Sequence, residues 1–160
     1  MHRQTEGGLG AADATTLRRR AMDLLARREH ARHELRRKLL QRGADGEALE
    51  PILDALEADG LLSDARFIEA YLHQQVARGK GPIALEHGLR ERGVAASRAS
   101  DAVGALGEDW VERAVEGRVK RFGAEVPTGD AERVKQARFL QGRGFTGEQV
   151  LKALERPGSG

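Results

Sequence analysis

Glu29, His30, His33 and Glu34 place two imidazoles and two carboxylates within one short stretch, a grouping that could hold a metal ion. A zinc-protease helix, however, sets its histidines four apart around a central glutamate. Here the histidines are three apart, and the expectation is two exposed histidines in a basic helix. His2, His73 and His87 are scattered and show no partner pattern. Gly79-Lys80-Gly81 looks like the end of a phosphate-binding loop, but Pro82 stands where that loop needs Ser or Thr. The residues before it have helical spacing rather than that of a strand, which excludes nucleotide hydrolysis by such a loop. The chain has no cysteine and no Gly-x-Ser-x-Gly elbow, so neither thiol nor serine-hydrolase chemistry is signalled. The expectation is a protein that is not an enzyme and uses no metal and no cofactor.

Charge remains as the chemistry on offer. The net charge of the 160 residues is only +2, but its distribution is uneven. Between Leu17 and Gly43 stand Arg18, Arg19, Arg20, Arg27, Arg28, Arg32, Arg36, Arg37, Lys38 and Arg42, against Asp23, Glu29 and Glu34. From Ala44 to Asp64 there is no Lys or Arg, and Asp45, Glu47, Glu50, Asp54, Glu57, Asp59 and Asp64 reverse the sign. This alternation suggests a basic face for an anionic partner and an acidic face elsewhere.

The elements that would carry these charges are helices in a repeat. Arg42-Gly43, Arg92-Gly93 and Arg143-Gly144 recur at a period of about 50 residues. A leucine stands four residues before each glycine (Leu39, Leu89, Leu140), and Leu35, Leu85 and Gln136 stand one turn earlier. The glycine suits a helix end that needs a left-handed residue. Asp45, Ser97 and Thr146 then fall where they could accept hydrogen bonds from the next helix, and Thr146 with Gln149 reads as a capping box. Pro82 suits the first turn of its helix. Phe67, Trp110, Phe139 and Phe145 have helical spacing and read as packing residues.

The expected fold is therefore all-α, with three tandem three-helix repeats stacked into a curved, elongated array. Its boundaries are 14–60, 61–107 and 108–156, with disordered tails at 1–13 and 157–160. No segment is apolar enough for a signal peptide or a membrane span, and the absence of cysteine fits a reducing cytoplasm. A helix-turn-helix DNA binder is the alternative. Against it, the third helix of the first repeat, Glu47 to Ala58, is acidic and would be repelled by phosphates.

Several of these segments, in order, resemble the RecX family. Arg27-Arg28-Glu29-His30 leading into Glu34-Leu35-Arg36-Arg37-Lys38-Leu39 is similar to the signature of that family's first repeat. Gly60-Leu61-Leu62-Ser63-Asp64-Ala65-Arg66-Phe67, then Gly79-Lys80-Gly81-Pro82 with Leu89-Arg90-Glu91-Arg92-Gly93-Val94, match its second. Arg121-Phe122-Gly123 and the stretch from Lys135 to Phe145 look like its third. The chain departs from the pattern at Ala31 in the first repeat and at Gln74, Gln75, Ala84 and Gly88 in the second. There Gln74, Gln75 and Ala84 stand in place of usual arginines and make that repeat less basic than is usual in the family. The resemblance implies a regulator without catalytic residues, and the expected state is a cytoplasmic monomer. It implies RecA and the RecA filament on single-stranded DNA as partners, with inhibition of ATPase, strand exchange and co-protease activity. Direct DNA contact would be weak, and no membrane would be involved. The basic residues singled out for contact are Arg27, Arg28, Arg32, Arg36 and Arg37, with Lys80, Arg90, Arg138 and Arg143.

Overall fold

A chain rich in Leu, Ala, Glu and Arg has little reason to leave the helical region. The computed structural model, which describes the backbone of residues 2–159 and the side chains of residues 14–159, has nine helices and no strand among those residues. They are α1 (His2–Arg27), α2 (Arg32–Gln41), α3 (Gly46–Ala58), α4 (Asp64–Ala77), α5 (Pro82–Glu91), α6 (Ala96–Gly104), α7 (Trp110–Phe122), α8 (Asp130–Gly142) and α9 (Gly147–Glu155). The tail expected to be disordered over residues 1–13 lies outside the described side chains. Two compact units are formed: Met1–Ala70 with Arg92–Val94, and Tyr71–Glu91 with Ala95–Gly160.

In the first unit α1, α2 and α3 pack on one another. The buried residues are Leu17, Ala21 and Leu24 of α1, Leu35 and Leu39 of α2, and Leu49, Ile52, Leu53 and Leu56 of α3. Their three- and four-residue spacing puts them on one face of each helix. Burying one such leucine contributes about 1.5–3 kcal/mol. Asp45 caps α3, its carboxylate accepting from the Glu47 amide at 3.3 Å. The N-cap residue of α2, Ala31, has no side chain able to do this. Asp64 does it from the start of α4, with Oδ1 2.7 Å from the Arg32 amide. Ser63 beside it accepts from the Arg66 amide at 3.2 Å and opens α4.

In the second unit the buried residues Ala114, Val115, Leu140, Phe145, Val150, Ala153 and Leu154 join α7, α8 and α9. Asp109 caps α7. The expected capping box at α9 is complete: Thr146 Oγ1 accepts from the Gln149 amide at 3.2 Å, and Gln149 Oε1 from the Thr146 amide at 2.9 Å. Ser97 does not cap α6 as expected. The N-cap is Ala95, without a side-chain bond, and Ser97 is the second residue inside the helix. The tail expected to be disordered from residue 157 is hydrogen-bonded at Gly158, whose amide donates to the Ala124 carbonyl at 3.0 Å.

Two motifs of the sequence meet in this unit. The Gly81 amide donates to the Arg143 carbonyl at 2.7 Å, and the Ile83 amide to the Gly144 carbonyl at 2.9 Å. The start of α5 is thus held by the Arg143-Gly144 turn, which satisfies amides that a helix N-terminus leaves open. The approach requires glycine on both sides. A Cβ on Gly81 would lie 2.6 Å from the Gly144 carbonyl group, and one on Gly144, at φ +95°, 2.3 Å from Ala84 Cβ.

Candidate functional site

Two groups of basic side chains could meet an anionic partner, one in each unit. In the first unit Arg28 is a fork on Glu34, with Nη1 to Oε1 at 3.0 Å and Nη2 to Oε2 at 2.7 Å. Burial works against the Glu34 charge. The hydrogen bonds from Arg28 and the fields of Arg28, His30 and Lys38 outweigh it and hold the carboxyl below its ordinary range. The same hydrogen bonds raise the pKa of Arg28.

His30, expected to be exposed, is 1 % exposed. Its Nδ1 lies 3.1 Å from the Arg28 carbonyl and its Nε2 2.9 Å from Lys38 Nζ. A neutral ring protonated on Nδ1 satisfies both contacts, donating to the carbonyl and accepting from the ammonium. Burial, with Arg28 and Lys38 nearby, lowers its pKa. Both ring nitrogens are therefore occupied within the protein. Among the described residues no three metal-ligating side chains converge. His33 is exposed, as expected.

The basic and acidic stretches of the sequence do not form two separate faces throughout. Arg32 meets Glu50 and Asp54, each at 2.8 Å, and also Glu57, while Arg36 Nε meets Glu50 Oε1 at 2.7 Å. The acidic side of α3 thus pairs with α2. Burial opposes the charge on Arg32, but its three carboxylate partners raise the pKa above the ordinary value. Arg36 and Arg32 hold Glu50 below the usual carboxylate range. Arg27, at the end of α1, and Arg37, on α2, are exposed.

In the second unit α4, α7, α8 and the turns after α4 and α8 surround a cavity of about 440 Å³. Lys80 and Arg143, two of the residues singled out in the sequence, line it together. Arg78, Arg113, Lys120 and Arg121 join them. Arg143 is fixed by donating to the Arg78 carbonyl at 3.1 Å, and its guanidinium lies 5.1 Å from the centre of the Phe139 ring. Phe139 in turn meets Phe122 edge to face at 5.4 Å. Arg113 is paired with Glu108 at 2.8 Å and Glu116 at 3.6 Å. Among the described residues, Arg78, Lys80, Lys120, Arg121 and Arg143 have no carboxylate partner. Phe139 and Phe145, read from sequence as packing, both line this cavity, Phe145 while largely buried, and Phe67 is buried away from it. Arg90 and Arg138 are exposed and do not line it.

Sequence reasoning missed four of these cations. The signal was the one-turn spacing of Arg113, Gly117, Lys120 and Arg121 on α7, which puts basic groups around a glycine. It also missed Arg118. This side chain is fully buried and bonded to four backbone carbonyls: Ala153, Gly123, Glu125 and Arg156.

Helices in threes, with arginines and lysines clustered in each unit, define an all-helical protein among the described residues. Three family models match in order: RecX, first three-helix domain, over residues 18–56; the second over 63–103; and the third over 108–154. The chain belongs to the RecX family. It is 44% identical over 144 residues to the regulatory protein RecX of Halorhodospira halophila, covering 90% of this chain and 89% of that protein. It is 41% identical over 142 residues to the regulatory protein RecX of Pseudomonas fluorescens strain Pf-5, covering 89% and 92% respectively. The fold is similar to the crystal structure of RecX from Lactobacillus salivarius, with TM-score 0.73, 22% identity, and coverage of 91% of this chain and 96% of that one. No described helix is long and apolar enough to cross a membrane.

Proposed function

We propose that this protein binds the RecA recombinase and its filament on single-stranded DNA and inhibits ATP hydrolysis, strand exchange and co-protease activity. The observation that carries this reading is the match to all three RecX domains in order along the chain. It acts by binding, as a cytoplasmic monomer and without catalysis. The three repeats run over 14–60, 61–107 and 108–156.

Arg27, Arg37, Arg90 and Arg138 reach a partner from exposed positions, and Lys80 and Arg143 from the cavity rim. Arg28, Arg32 and Arg36 contribute by exchanging Glu34, Glu50, Asp54 or Glu57 for a partner's anion. Each such exchange gives up an existing ion pair for the new one and so returns part of the energy it releases.

The test is RecA's single-strand-dependent ATP hydrolysis with this protein titrated from far below to equal stoichiometry. Suppression well below one copy per RecA protomer is expected, and charge reversal at Arg27 and Arg37 together should weaken it. Unchanged hydrolysis beside tight binding to naked DNA would refute the reading and favour a plain DNA binder.

A further inference from the structure

Lys80 lies in a segment that looks like a phosphate-binding loop, yet its backbone cannot act as one. The Gly79, Lys80 and Gly81 amides already donate to the carbonyls of Val76, Gln75 and Arg143, at 2.9, 3.1 and 2.7 Å. An anion here must be held by side chains. The cavity beside the loop supplies them: Arg78, Lys80, Lys120, Arg121 and Arg143 converge on it without carboxylate partners among the described residues. Glu116, the one carboxylate in the lining, is turned to Arg113.

So many uncompensated cations around one space call for a ligand with several negative charges. The volume, about 440 Å³, falls in the roughly 300–1,000 Å³ range of small-molecule sites. The lining is not wholly polar. Val76, Phe139, Leu140 and Phe145 form an apolar wall, which a bare phosphate would leave unused. An anionic head joined to a flat, largely apolar body satisfies both halves.

We propose that this cavity binds a nucleoside di- or triphosphate, its phosphates among Lys80, Lys120 and Arg143 and its base along the Phe139 wall. The site binds and does not hydrolyse. Lys80 and Arg143 also serve the RecA reading, but this proposal concerns the protein alone, and its test contains no RecA.

The experiment is isothermal titration of the whole protein at low salt with ATP, ADP, pyrophosphate, adenosine and a short single-stranded oligonucleotide. ATP and ADP are expected to saturate below about 1 mM, pyrophosphate to bind several-fold more weakly, and adenosine not to bind. Lys80→Gln with Lys120→Gln should weaken ADP by about tenfold or more, since each removes a charged hydrogen bond. Lys152→Gln, on α9 and paired with Glu148, should leave ADP binding unchanged. The proposal fails if no nucleotide saturates in that range, or if the double variant binds ADP as the natural protein does. Pyrophosphate binding as well as ADP would overturn the nucleoside, and adenosine binding as well as ADP the phosphates. Binding of the oligonucleotide alone would make the cavity part of a strand-binding surface and overturn the small-molecule site.

Discussion

Replacing Arg118 by methionine keeps an unbranched stem in the core of the second unit and removes every donor from its end. The guanidinium sits where α7 and α9 end. Its Nε donates to Ala153 O at 3.1 Å, Nη1 to Glu125 O at 2.9 Å and Gly123 O at 3.4 Å, and Nη2 to Arg156 O at 2.8 Å. Gly123 and Arg156 are the C-cap residues of those helices, so one cation meets the negative ends of two helix dipoles.

The cost follows from what each carbonyl does afterwards. Gly123, Glu125 and Arg156 are exposed residues, and water can take over their carbonyls. Ala153 is fully buried. One buried acceptor left open costs about 1–3 kcal/mol. Losing a favourable charge at partly buried helix ends adds about 0.5–2 kcal/mol. Against this stands relief of the guanidinium's desolvation, which lowers its pKa and which makes some buried ions replaceable by apolar residues at no net cost. With no carboxylate in the arrangement and all four bonds made to backbone, the loss should prevail by about 2–4 kcal/mol.

Urea unfolding followed both by circular dichroism and by the fluorescence of Trp110, which packs against the same core cluster, would measure it. A midpoint about 1–2 M lower at unchanged slope is expected. Arg118→Lys keeps the charge but has one nitrogen in place of three, and should fall between. A methionine variant within about 0.5 kcal/mol of the natural protein would refute the reasoning, since the desolvation relief would then match the lost bonds.

Three further perturbations test the packing. The His30 pKa is depressed below its ordinary 6.5 by burial, Arg28 and Lys38. The unfolded chain therefore takes up that proton first, and stability should fall as pH drops below about 6.5. Urea midpoints at neutral and mildly acid pH would show this, and His30→Gln should flatten the change. Gly144→Ala must adopt a positive φ and also collide with Ala84, whereas Gly43→Ala has a positive φ but nothing within 4 Å of its new methyl. Calorimetric or urea data should give about 1 kcal/mol for Gly43→Ala and at least twice that for Gly144→Ala. Gln136 is 3 % exposed and its Oε1 has no hydrogen-bond partner. Gln136→Leu, which restores the residue type of Leu35 and Leu85, should raise stability by about 1–2 kcal/mol in the same assay.

What the sequence made legible was whatever one helix decides by itself. The leucines four apart, the Arg-Gly ends, Asp45 as a cap and the Thr146–Gln149 box all follow from neighbours within a turn or two, and all stand in the structure. The errors lie where a second element intervenes. Ser97 has the chemistry of a cap, but α6 begins one residue before it, at Ala96. His30 reads as exposed from sequence because its neighbours are charged. Lys38, two turns along α2, and the Arg28 carbonyl enclose it instead.

Charge was the hardest feature to read, because a run of one sign does not say which opposite charges will fold against it. Arg32 and Arg36 meet Glu50, Asp54 and Glu57 only once α2 and α3 are side by side. The most basic stretch of the sequence is thereby partly neutralised within its own unit. The second unit shows the reverse. Arg78, Lys80, Lys120 and Arg143 are separated along the chain, but the Gly81–Arg143 and Arg143–Arg78 hydrogen bonds bring two turns together, and α7 supplies the rest. A group of cations without carboxylate partners among the described residues is thus assembled from separate parts of the sequence, and a search for anionic partners should include it.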